Sequence, residues 1–376
     1  MKEVVVLGGG VGGSVVANRL SKKVSSKVCR ITVVDEDGRH VYQPGYLYVA
    51  LGKQNPAKLV RNERGLLGRK VKLVTEKAES IDSAERKIHL VGGKEVVYDY
   101  LVIATGSSLH PDQIPGSEGA HHFYGLEDAI ELRNALHKFD GGDIVIAIGG
   151  VPYKCPAAPA QSACLLDYYF TLKKIRDKVN IIFLSPLGRI FPLEPLDPLV
   201  TEVFDRKNIE YTTFFNVESI DPENKKVNSL EGETASFDLL ITIPPHSGAD
   251  VVMNSGLGDR GGWIPTERHS LLAKDHDDVY VVGDATDIPI SKAGATARYE
   301  GLVVADNIAA RVKGQSPPNN YDGKVTCFFE AGFRRGTMMT FDYKNPPVPL
   351  PLSRRHYWEK VLVNKLYWML IPRARI

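Results

Sequence analysis

The chain has 376 residues, of which 43% are hydrophobic and 24% charged, and its formal net charge is +2. This length predicts two or three domains, each large enough to bury its own core. A charge so close to zero argues against nucleic acid as a partner, because that binding needs a strongly basic face. Four cysteines are too few for a disulfide scaffold in a chain of this length.

The start of the chain is strand-like. Residues 4–7 form a short, valine-rich segment that is followed directly by glycines, so no signal peptide is expected. No apolar stretch reaches the roughly 18 residues that a membrane-spanning helix needs. We therefore expect a protein that does not cross a membrane.

A glycine-rich turn follows this first strand. Gly8, Gly10 and Gly13 have the spacing GxGxxG, and residues 14–20 continue with helical periodicity. In this motif the first glycine allows a tight turn, the second lets the backbone approach a pyrophosphate, and the third lets the helix pack on the strand. The phosphates then meet the positive end of the helix. The turn predicts a dinucleotide-binding domain.

The second strand supports the same interpretation. Residues 30–34 are β-rich and end at Asp35 and Glu36, and Asp35 lies 22 positions after Gly13. An acidic residue at about this distance binds the ribose hydroxyl in dinucleotide-binding domains. Asp35 and Glu36 are therefore the candidate ribose ligands.

Two later strand-like segments indicate which nucleotide is bound. One ends at Thr105 and Gly106, and the other ends at Gly283 and Asp284. Both endings resemble those of flavoproteins with two dinucleotide-binding domains, in which the Gly-Asp carboxylate holds the ribityl chain of FAD. The resemblance implies that FAD, rather than NAD, occupies the first site.

The same resemblance implies an α/β fold with two Rossmann-like dinucleotide-binding domains. The FAD-binding domain would be discontinuous, formed by residues 1–110 together with 265–312. Residues 111–264 would repeat the fold, and residues 313–376 would form a separate C-terminal amphipathic region.

The second domain lacks its own glycine fingerprint. In a second nucleotide-binding domain, phosphate-binding glycines would follow its first strand. This chain has Lys154, Cys155 and Pro156 there instead, just before a predicted helix over 157–174. Proline is favoured at the first helical position. A thiol at a helix N-terminus beside a lysine is predicted to have a lowered pKa.

The other cysteines fit a simpler interpretation. A cysteine without a partner is most often a small buried apolar residue, which suits Cys29 and Cys164. Taken alone, Cys327 would be a strand residue of the same kind.

The chain resembles the sulfide:quinone oxidoreductases and the flavoprotein subunit of flavocytochrome c sulfide dehydrogenase over nearly its whole length. The most specific shared segment is the Lys-Cys-Pro-x-x-Pro run at 154–159. The segments shared more widely are the glycine-rich start, residues 42–46 (which include Pro44), Gly283-Asp284, Lys292-Ala293-Gly294 and residues 327–330.

This resemblance implies the chemistry. The cysteines matching Cys155 and Cys327 would form a redox pair beside the flavin. Hydrogen sulfide would attack the oxidised pair to give a persulfide, and Cys327 would pass two electrons to FAD. Repeated turnover would lengthen a sulfur chain that leaves as polysulfide or elemental sulfur.

Further roles follow from the resemblance and from position. Lys292, at the start of a helix, would stabilise the reduced flavin near its N1/O2 edge. Ala78 and Gly294 complete the candidate FAD-binding residues. No metal site is expected, and we expect the protein to form a homo-oligomer.

The sequence departs from the family pattern in three places. Residues 107–142 contain no third cysteine, and Tyr46-Leu47-Tyr48 stand where the flavocytochrome relatives bind flavin covalently, so non-covalent FAD is expected. Gln161 occupies the position of a proposed glutamate base, and glutamine cannot take a proton. Glu330, or a histidine such as His110, would then serve as the base.

The C-terminal segment indicates the electron acceptor. An apolar helical stripe with steps of three and four is formed by Trp358, Val361, Leu362, Leu366, Met369 and Leu370. Residues 352–376 carry six Lys or Arg and one Glu, a net charge of +5. Such a helix fits a membrane surface, and docking on the protein body or on another subunit fits as well. The resemblance favours a peripheral membrane protein in which residues 313–376 bind the membrane and a membrane quinone, the electron acceptor; it does not specify the face of the membrane. The candidate quinone-binding residues are Phe329, Phe333 and Tyr367.

Three alternatives remain. A type II NADH:quinone dehydrogenase would share both nucleotide folds but needs a second glycine fingerprint and no cysteine pair. A sulfide dehydrogenase that donates to a cytochrome would lack the lipid-seeking terminus. A flavin-stabilised scaffold protein would be reduced by neither sulfide nor NADH.

Overall fold

The computed structural model describes residues 1–375. The α-helices in this range are α1 (Val11–Lys23), α2 (Tyr46–Ala50), α3 (Leu126–Lys138), α4 (Ala158–Lys173), α5 (Asp197–Arg206), α6 (Asp250–Asn254), α7 (Gly294–Val312) and α8 (Arg354–Leu370). The strands in the same range are β1 (Lys2–Leu7), β2 (Cys29–Asp35), β3 (Arg39–Val41), β4 (Val60–Asn62), β5 (Val71–Thr75), β6 (Ala78–Asp82), β7 (Lys87–Leu90), β8 (Glu95–Val97), β9 (Tyr100–Ile103), β10 (Ser107–Leu109), β11 (Gly142–Ile148), β12 (Val179–Ser185), β13 (Ile209–Thr213), β14 (Val217–Asp221), β15 (Lys226–Ser229), β16 (Thr234–Ser236), β17 (Leu239–Ile243), β18 (His246–Gly248), β19 (Val279–Val281), β20 (Val325–Glu330) and β21 (Gly336–Phe341).

The first sheet is parallel, with strand order β19-β9-β1-β2-β5. Its central strand is a run of valines buried on both faces, as expected for a parallel strand covered by helices on each side. Val4 lies opposite Ile31 on one side and Tyr100 on the other. The strand β19 comes from far along the chain and pairs with β9, placing Val279 beside Leu101. A return segment therefore completes the first sheet.

The second sheet repeats this arrangement with strand order β13-β12-β11-β17, also parallel. Ile144 of β11 lies opposite Ile181 and Leu239. The helix α4 packs on this sheet, and Cys164 at its centre is completely buried, as its apolar interpretation predicted. The antiparallel pair β10–β18 joins the two halves, with Leu109 opposite His246.

These two sheets agree with the predicted α/β class and its discontinuous first domain. The proposed boundaries at residues 110, 264 and 312 stay predictions. One local expectation is wrong. Pro156 lies in a turn before α4 rather than at the first helical position, because the helix begins at Ala158.

The C-terminal region consists of the hairpin β20–β21 followed by α8, and it docks on the first domain. The amide of Asn18 donates to the Pro372 carbonyl at 2.7 Å, and Lys22 donates to the Arg373 carbonyl at 2.7 Å. Both lysine and asparagine belong to α1, the helix of the glycine fingerprint. Within residues 1–375, no helix combines the length and the apolar character needed to cross a membrane.

Candidate active site

The glycine turn between β1 and α1 has the geometry that a dinucleotide requires. Gly8 has φ +102°, and a Cβ there would lie 2.4 Å from the Ala104 carbonyl oxygen. A Cβ on Gly13 would lie 1.9 Å from the Gly8 carbonyl oxygen. Around Gly10, by contrast, no heavy atom of residues 1–375 lies within 4 Å of an added Cβ. Two glycines are thus needed for packing, while the third faces the space where phosphates would approach.

The acid at the end of β2 is tied to this turn. The Asp35 carboxylate accepts a hydrogen bond from the Gly9 amide at 2.7 Å and one from the Gly38 amide at 2.8 Å. The neighbouring Glu36 is exposed, with Lys77 at 3.9 Å. Of the two candidate ribose ligands, Asp35 is the one that lies at the turn.

The Gly-Asp ending of β19 is held by a glutamate that sequence reasoning missed. The Gly283 amide, at φ +74°, donates to Oε2 of the fully buried Glu300 at 2.5 Å. Burial raises the pKa of Glu300 to about 8, and its Oε1 has no hydrogen-bond partner among residues 1–375. Burial also raises the pKa of Asp284, against the opposing charges of Lys154 and Lys292.

Lys292 lies beside the same turn. Its ammonium donates to the carbonyls of Asp284 at 2.9 Å and Thr286 at 2.7 Å, and it sits 3.7 Å from the centre of the Trp263 ring. In this arrangement the lysine stabilises the turn that carries the Asp284 carboxylate. The predicted contact with the flavin N1/O2 edge stays a prediction.

The remaining predicted FAD-binding residues are spread around the first sheet. Thr105 has a buried hydroxyl without a partner among residues 1–375, and Gly106 follows at φ +72°. Ala78 is buried in the core at the start of β6, Pro44 is exposed in a 3₁₀ turn, and Gly294 is the first residue of α7. The open glycine turn and the unpartnered hydroxyl and carboxyl groups fit a bound FAD.

Cys155 lies in the connection between β11 and α4, pinned against the FAD-binding half. Its backbone has φ +56°, in the left-handed region that non-glycine residues rarely adopt. The Cys155 amide donates to the Lys292 carbonyl at 2.7 Å, and its own carbonyl accepts from the Ala158 amide at 2.8 Å. These two bonds set the position of the thiol relative to the Gly283-Asp284 turn.

The predicted lowering of the Cys155 pKa is wrong. Cys155 is accessible to solvent, but many protein atoms lie around its thiol. The resulting desolvation raises the pKa of the thiol. Lys360 opposes the rise more than Lys154 does. The backbone amide of Ala158, the first residue of α4, also lowers the pKa, but desolvation outweighs it.

Cys327 lies on β20 within electrostatic reach of Cys155. Burial raises the pKa of Cys327 to about 12, and a negative charge on Cys155 adds to the rise. Both thiols are free in this structure. Lys360 lowers the pKa of both, so the lysine favours the thiolate form of either cysteine.

Lys360 belongs to a buried polar cluster that also contains Gln161, Glu330 and Tyr48, which we call the lysine cluster. The ammonium donates to Oε1 of Gln161 at 2.8 Å and lies 3.5 Å from Oε2 of Glu330. The same amide oxygen accepts from the Glu330 backbone amide at 3.0 Å, and the Tyr48 hydroxyl donates to Glu330 at 2.5 Å. Gln161 therefore positions Lys360 and β20.

Sequence reasoning missed Lys360 because it treated every basic residue of α8 as membrane-facing. A usable signal was present, since Lys360, Asn364 and Tyr367 recur at steps of four and three, on a face different from the apolar stripe. In the structure the Asn364 amide oxygen accepts from the Tyr42 hydroxyl at 2.5 Å, and the Tyr367 hydroxyl lies 2.7 Å from Nε2 of His40. The face of α8 that meets the protein is thus polar.

The opposite face of α8 is apolar and exposed. Trp358, Leu362 and Met369 have 54%, 56% and 48% of their surface accessible. None of the six residues of the predicted apolar stripe is buried, the others being Val361, Leu366 and Leu370. The stripe therefore does not pack into the core of the protein.

The three candidate quinone-binding residues have different neighbours. Phe329 is buried, with its ring centre 5.8 Å from that of Phe191. Phe333 is exposed and packs on Tyr168 at 4.7 Å, and Tyr367 packs on Tyr42 at 4.4 Å. His110, the alternative candidate for the base, has its Nε2 2.7 Å from the Ser247 hydroxyl.

Comparison with known proteins identifies the family. The profile of the pyridine nucleotide-disulphide oxidoreductases matches residues 2–306. The chain belongs to this family. Membership confirms the predicted enzyme class, a flavin-dependent oxidoreductase, and FAD as its cofactor.

Within this family, the resemblance to sulfide:quinone oxidoreductases is confirmed. The mitochondrial sulfide:quinone oxidoreductase of Mus musculus is 27% identical, the match covering 99% of this chain and 86% of the mouse protein. The sulfide-quinone reductase of Aquifex aeolicus is 26% identical over 98% of this chain and 90% of the bacterial one. The solved structure of the sulfide:quinone oxidoreductase from Aquifex aeolicus superimposes with a TM-score of 0.89 at 24% identity, covering 100% of this chain and 92% of that one. The superposition confirms the predicted fold class.

Proposed function

We propose that this member of the family oxidises sulfide to polysulfide or elemental sulfur through the pair Cys155 and Cys327 and passes the electrons through FAD to a membrane quinone. The observation that carries the proposal is the convergence of two thiols and a buried lysine at one site, beside the Gly283-Asp284 turn. The similarity to sulfide:quinone oxidoreductases over nearly the whole chain supports the same substrate and acceptor.

The thiol chemistry can be written as a balanced cycle. Hydrosulfide attacks the oxidised pair at Cys155, forming a persulfide there and releasing Cys327 as a thiolate. A second hydrosulfide removes the terminal sulfur as a hydrodisulfide ion, with release of the persulfide proton, and leaves Cys155 as a thiolate. The two thiolates then re-form the disulfide and give up two electrons per sulfur–sulfur bond made in the product, for which bound FAD would be the acceptor.

The residues of the lysine cluster assist this cycle through charge. Thiolates, not thiols, are the reactive forms, and burial disfavours them at both cysteines. The ammonium of Lys360 offsets part of that cost as each thiolate appears. Glu330 keeps the lysine in place and accepts a hydrogen bond from the Tyr48 hydroxyl.

A bound FAD would supply a two-electron acceptor for the thiols and a donor for the quinone. The residues that would hold it are the open turn at Gly10, the Asp35 carboxylate at the end of β2, and Asp284 after β19. Each lies at the carboxyl end of a parallel strand, where this fold binds nucleotides. No cysteine occurs among residues 40–50, which supports non-covalent binding.

The membrane side of the proposal rests on α8. Its exposed apolar face carries a tryptophan, a residue that favours the headgroup region of a bilayer, and the segment 352–376 has a net charge of +5. Its inner face reaches the lysine cluster through Lys360. A helix lying in the membrane surface would thus connect the lipid phase, where a quinone dissolves, with the site of the thiols.

The runner-up is a type II NADH:quinone dehydrogenase. Its nicotinamide nucleotide would need the turn after β11 to cradle phosphates. That connection spans nine residues, 149–157, and a Cβ on Gly149 would already lie 2.4 Å from Cδ1 of Ile114. A connection with so little free space, and with a cysteine and two prolines in it, favours the thiol function.

The test is anaerobic flavin absorbance of the purified holoenzyme, with sulfide added to one sample and NADH to another. We expect sulfide alone to bleach the flavin and a soluble quinone to restore the colour. Bleaching by NADH and not by sulfide would overturn the proposal in favour of the dehydrogenase. Bleaching by neither would leave the scaffold protein as the function.

A further inference from the structure

A group of buried polar side chains lies beside Cys155 and is not used by the thiol cycle described above. Tyr124 and Tyr153 are 5% and 6% exposed, yet neither hydroxyl has a hydrogen-bond partner among residues 1–375. The same holds for Nε2 of His246, whose ring meets that of Tyr124 edge-on with 5.2 Å between their centres. Buried polar atoms are almost always paired, so three unpaired ones in one place point to a ligand.

Cys155 directly follows Tyr153 and Lys154 in the chain, and the rings of Tyr124 and His246 lie near these two residues. A negative charge on Cys155 raises the pKa of both Tyr124 and Tyr153, so both phenols lie within electrostatic reach of the thiol. Lys154 is within similar reach of Cys155 and of His246. We call the group formed by Tyr124, Tyr153, His246 and Lys154 the tyrosine chamber.

The hydrogen-bonding capacity of the chamber can be assigned. Nδ1 of His246 lies 2.7 Å from the Pro244 carbonyl oxygen, which can only accept, so Nδ1 carries the hydrogen. Burial, with the charge of Lys154 adding to it, lowers the pKa of His246 to about 4, and the imidazole is therefore neutral at pH 7. Nε2 is thus a free acceptor. The two phenols are donors, because burial raises the pKa of both and keeps them protonated.

We infer that the tyrosine chamber binds hydrosulfide before it attacks, with the phenol hydrogens of Tyr124 and Tyr153 directed at the sulfur and Nε2 of His246 accepting its S–H hydrogen. This inference rests on the proposed function. Hydrosulfide is a small monoanion with one hydrogen to donate and lone pairs that accept, and the chamber offers two neutral donors, one acceptor and a nearby ammonium. A carboxylate would leave Nε2 unpaired, because an ionised carboxylate has no hydrogen to donate.

The test uses the conservative double substitution Tyr124→Phe/Tyr153→Phe in the holoenzyme. Stopped-flow flavin reduction under sulfide gives a half-saturating concentration and a limiting rate. Losing a hydrogen bond to an anion weakens binding by about tenfold or more. We expect the half-saturating sulfide concentration to rise at least about tenfold in the double variant while the limiting rate changes by less than about twofold.

Tyr98→Phe is the matched control. Tyr98 is 3% exposed and its hydroxyl also lacks a partner among residues 1–375, but its charged neighbours are Asp278, Arg86 and Asp82 rather than the thiols. We expect it to leave both kinetic quantities unchanged. An unchanged half-saturating concentration in the double variant, or an equal rise in Tyr98→Phe, would overturn the inference.

A binding measurement separates this inference from the proposed function. In Cys155→Ser holoenzyme sulfide cannot be oxidised at the pair, and its binding is followed by titration calorimetry with sodium hydrosulfide at pH 8. Saturable binding that weakens on adding Tyr124→Phe and Tyr153→Phe would support the chamber even if wild-type flavin were not bleached. Absence of saturable binding in Cys155→Ser would reject the chamber even if wild-type turnover were normal.

Discussion

The two sheets of this protein have the same parallel arrangement but differ in the turn after the first strand of each. In the first sheet three residues, 8–10, connect β1 to α1, and the helix begins beside open space. In the second, nine residues, 149–157, connect β11 to α4. The longer turn folds back and carries Cys155 to the carbonyl of Lys292 in the other half of the molecule. Extending one turn converts a phosphate site into the support of a thiol.

The largest effect is expected at the thiols that the second turn and β20 carry. Cys155→Ser and Cys327→Ser should each slow flavin reduction by sulfide by at least about 10³-fold, because a hydroxyl can neither form the disulfide nor carry a persulfide. FAD content, read from the visible spectrum, should stay at the wild-type value. Cys29→Ser, at the start of β2 and far from the site, is the control. Normal reduction in either active-site variant would remove that cysteine from the mechanism.

The two turns themselves can be compared with alanine. Gly10→Ala places a methyl group in the open space of the first turn, so FAD affinity should fall by at least about tenfold while the melting temperature of the apoprotein changes by less than about 2 °C. The matched change in the second turn is Gly150→Ala, where the nearest atom to the new Cβ is 3.6 Å away, in Pro245. FAD affinity should be unchanged there.

Both outcomes are measured by fluorescence titration of apoprotein with FAD. Equal loss of affinity in the two variants would mean that the second turn also contacts the cofactor. Unchanged FAD affinity in Gly10→Ala would show that the phosphates of FAD do not bind at this turn.

A smaller effect is expected at Lys360. Because Lys360 favours both thiolates, Lys360→Met should raise the pKa of Cys155 further and slow its alkylation by iodoacetamide at pH 8 by about tenfold, the effect of one pKa unit. Lys365→Met removes an exposed lysine of the same helix and should leave the rate unchanged. An equal slowing in both variants would indicate a long-range charge effect, and no slowing in Lys360→Met would exclude its role at the thiols.

The smallest effect concerns stability and pH at Glu300. Its pKa in the folded protein, about 8, lies above the ordinary value of 4.5, so the folded state binds the proton more tightly than the unfolded state does. The stability that this proton contributes is present below pH 4.5 and is lost as the pH rises through about 8. Glu300→Gln cannot ionise and should escape the loss.

Thermal unfolding of the two holoenzymes at pH 5 and pH 9 tests this. We expect similar melting temperatures at pH 5 and a variant that is higher by about 3–6 °C at pH 9. Glu223→Gln, at an exposed glutamate, should show no such difference. If the melting temperature of Glu300→Gln differed from that of the wild type by the same amount at both pH values, packing and not ionisation would be the cause.

Local patterns were enough to predict much of this molecule. A valine-rich strand, three spaced glycines and an acid specify a nucleotide site, because every requirement of that motif is met within one βαβ unit and depends on backbone conformation and strand direction. The absence of a second glycine fingerprint could also be recognised from the sequence, since a cysteine with prolines cannot replace glycines in a phosphate-binding turn. The pairing of Cys155 with Cys327 was predicted only from the family resemblance at residues 154–159.

What required the folded chain was the environment of those residues. The sign of the Cys155 pKa shift depends on how much protein surrounds the thiol, and desolvation outweighs a neighbouring lysine. Lys360 comes within reach of both thiols only because α8 docks with its polar face inward, which depends on partners 199 and 30 residues away, Gln161 and Glu330. The tyrosine chamber likewise joins residues from three separate parts of the chain, and its unpaired buried atoms can be recognised only once every other contact of the fold is known.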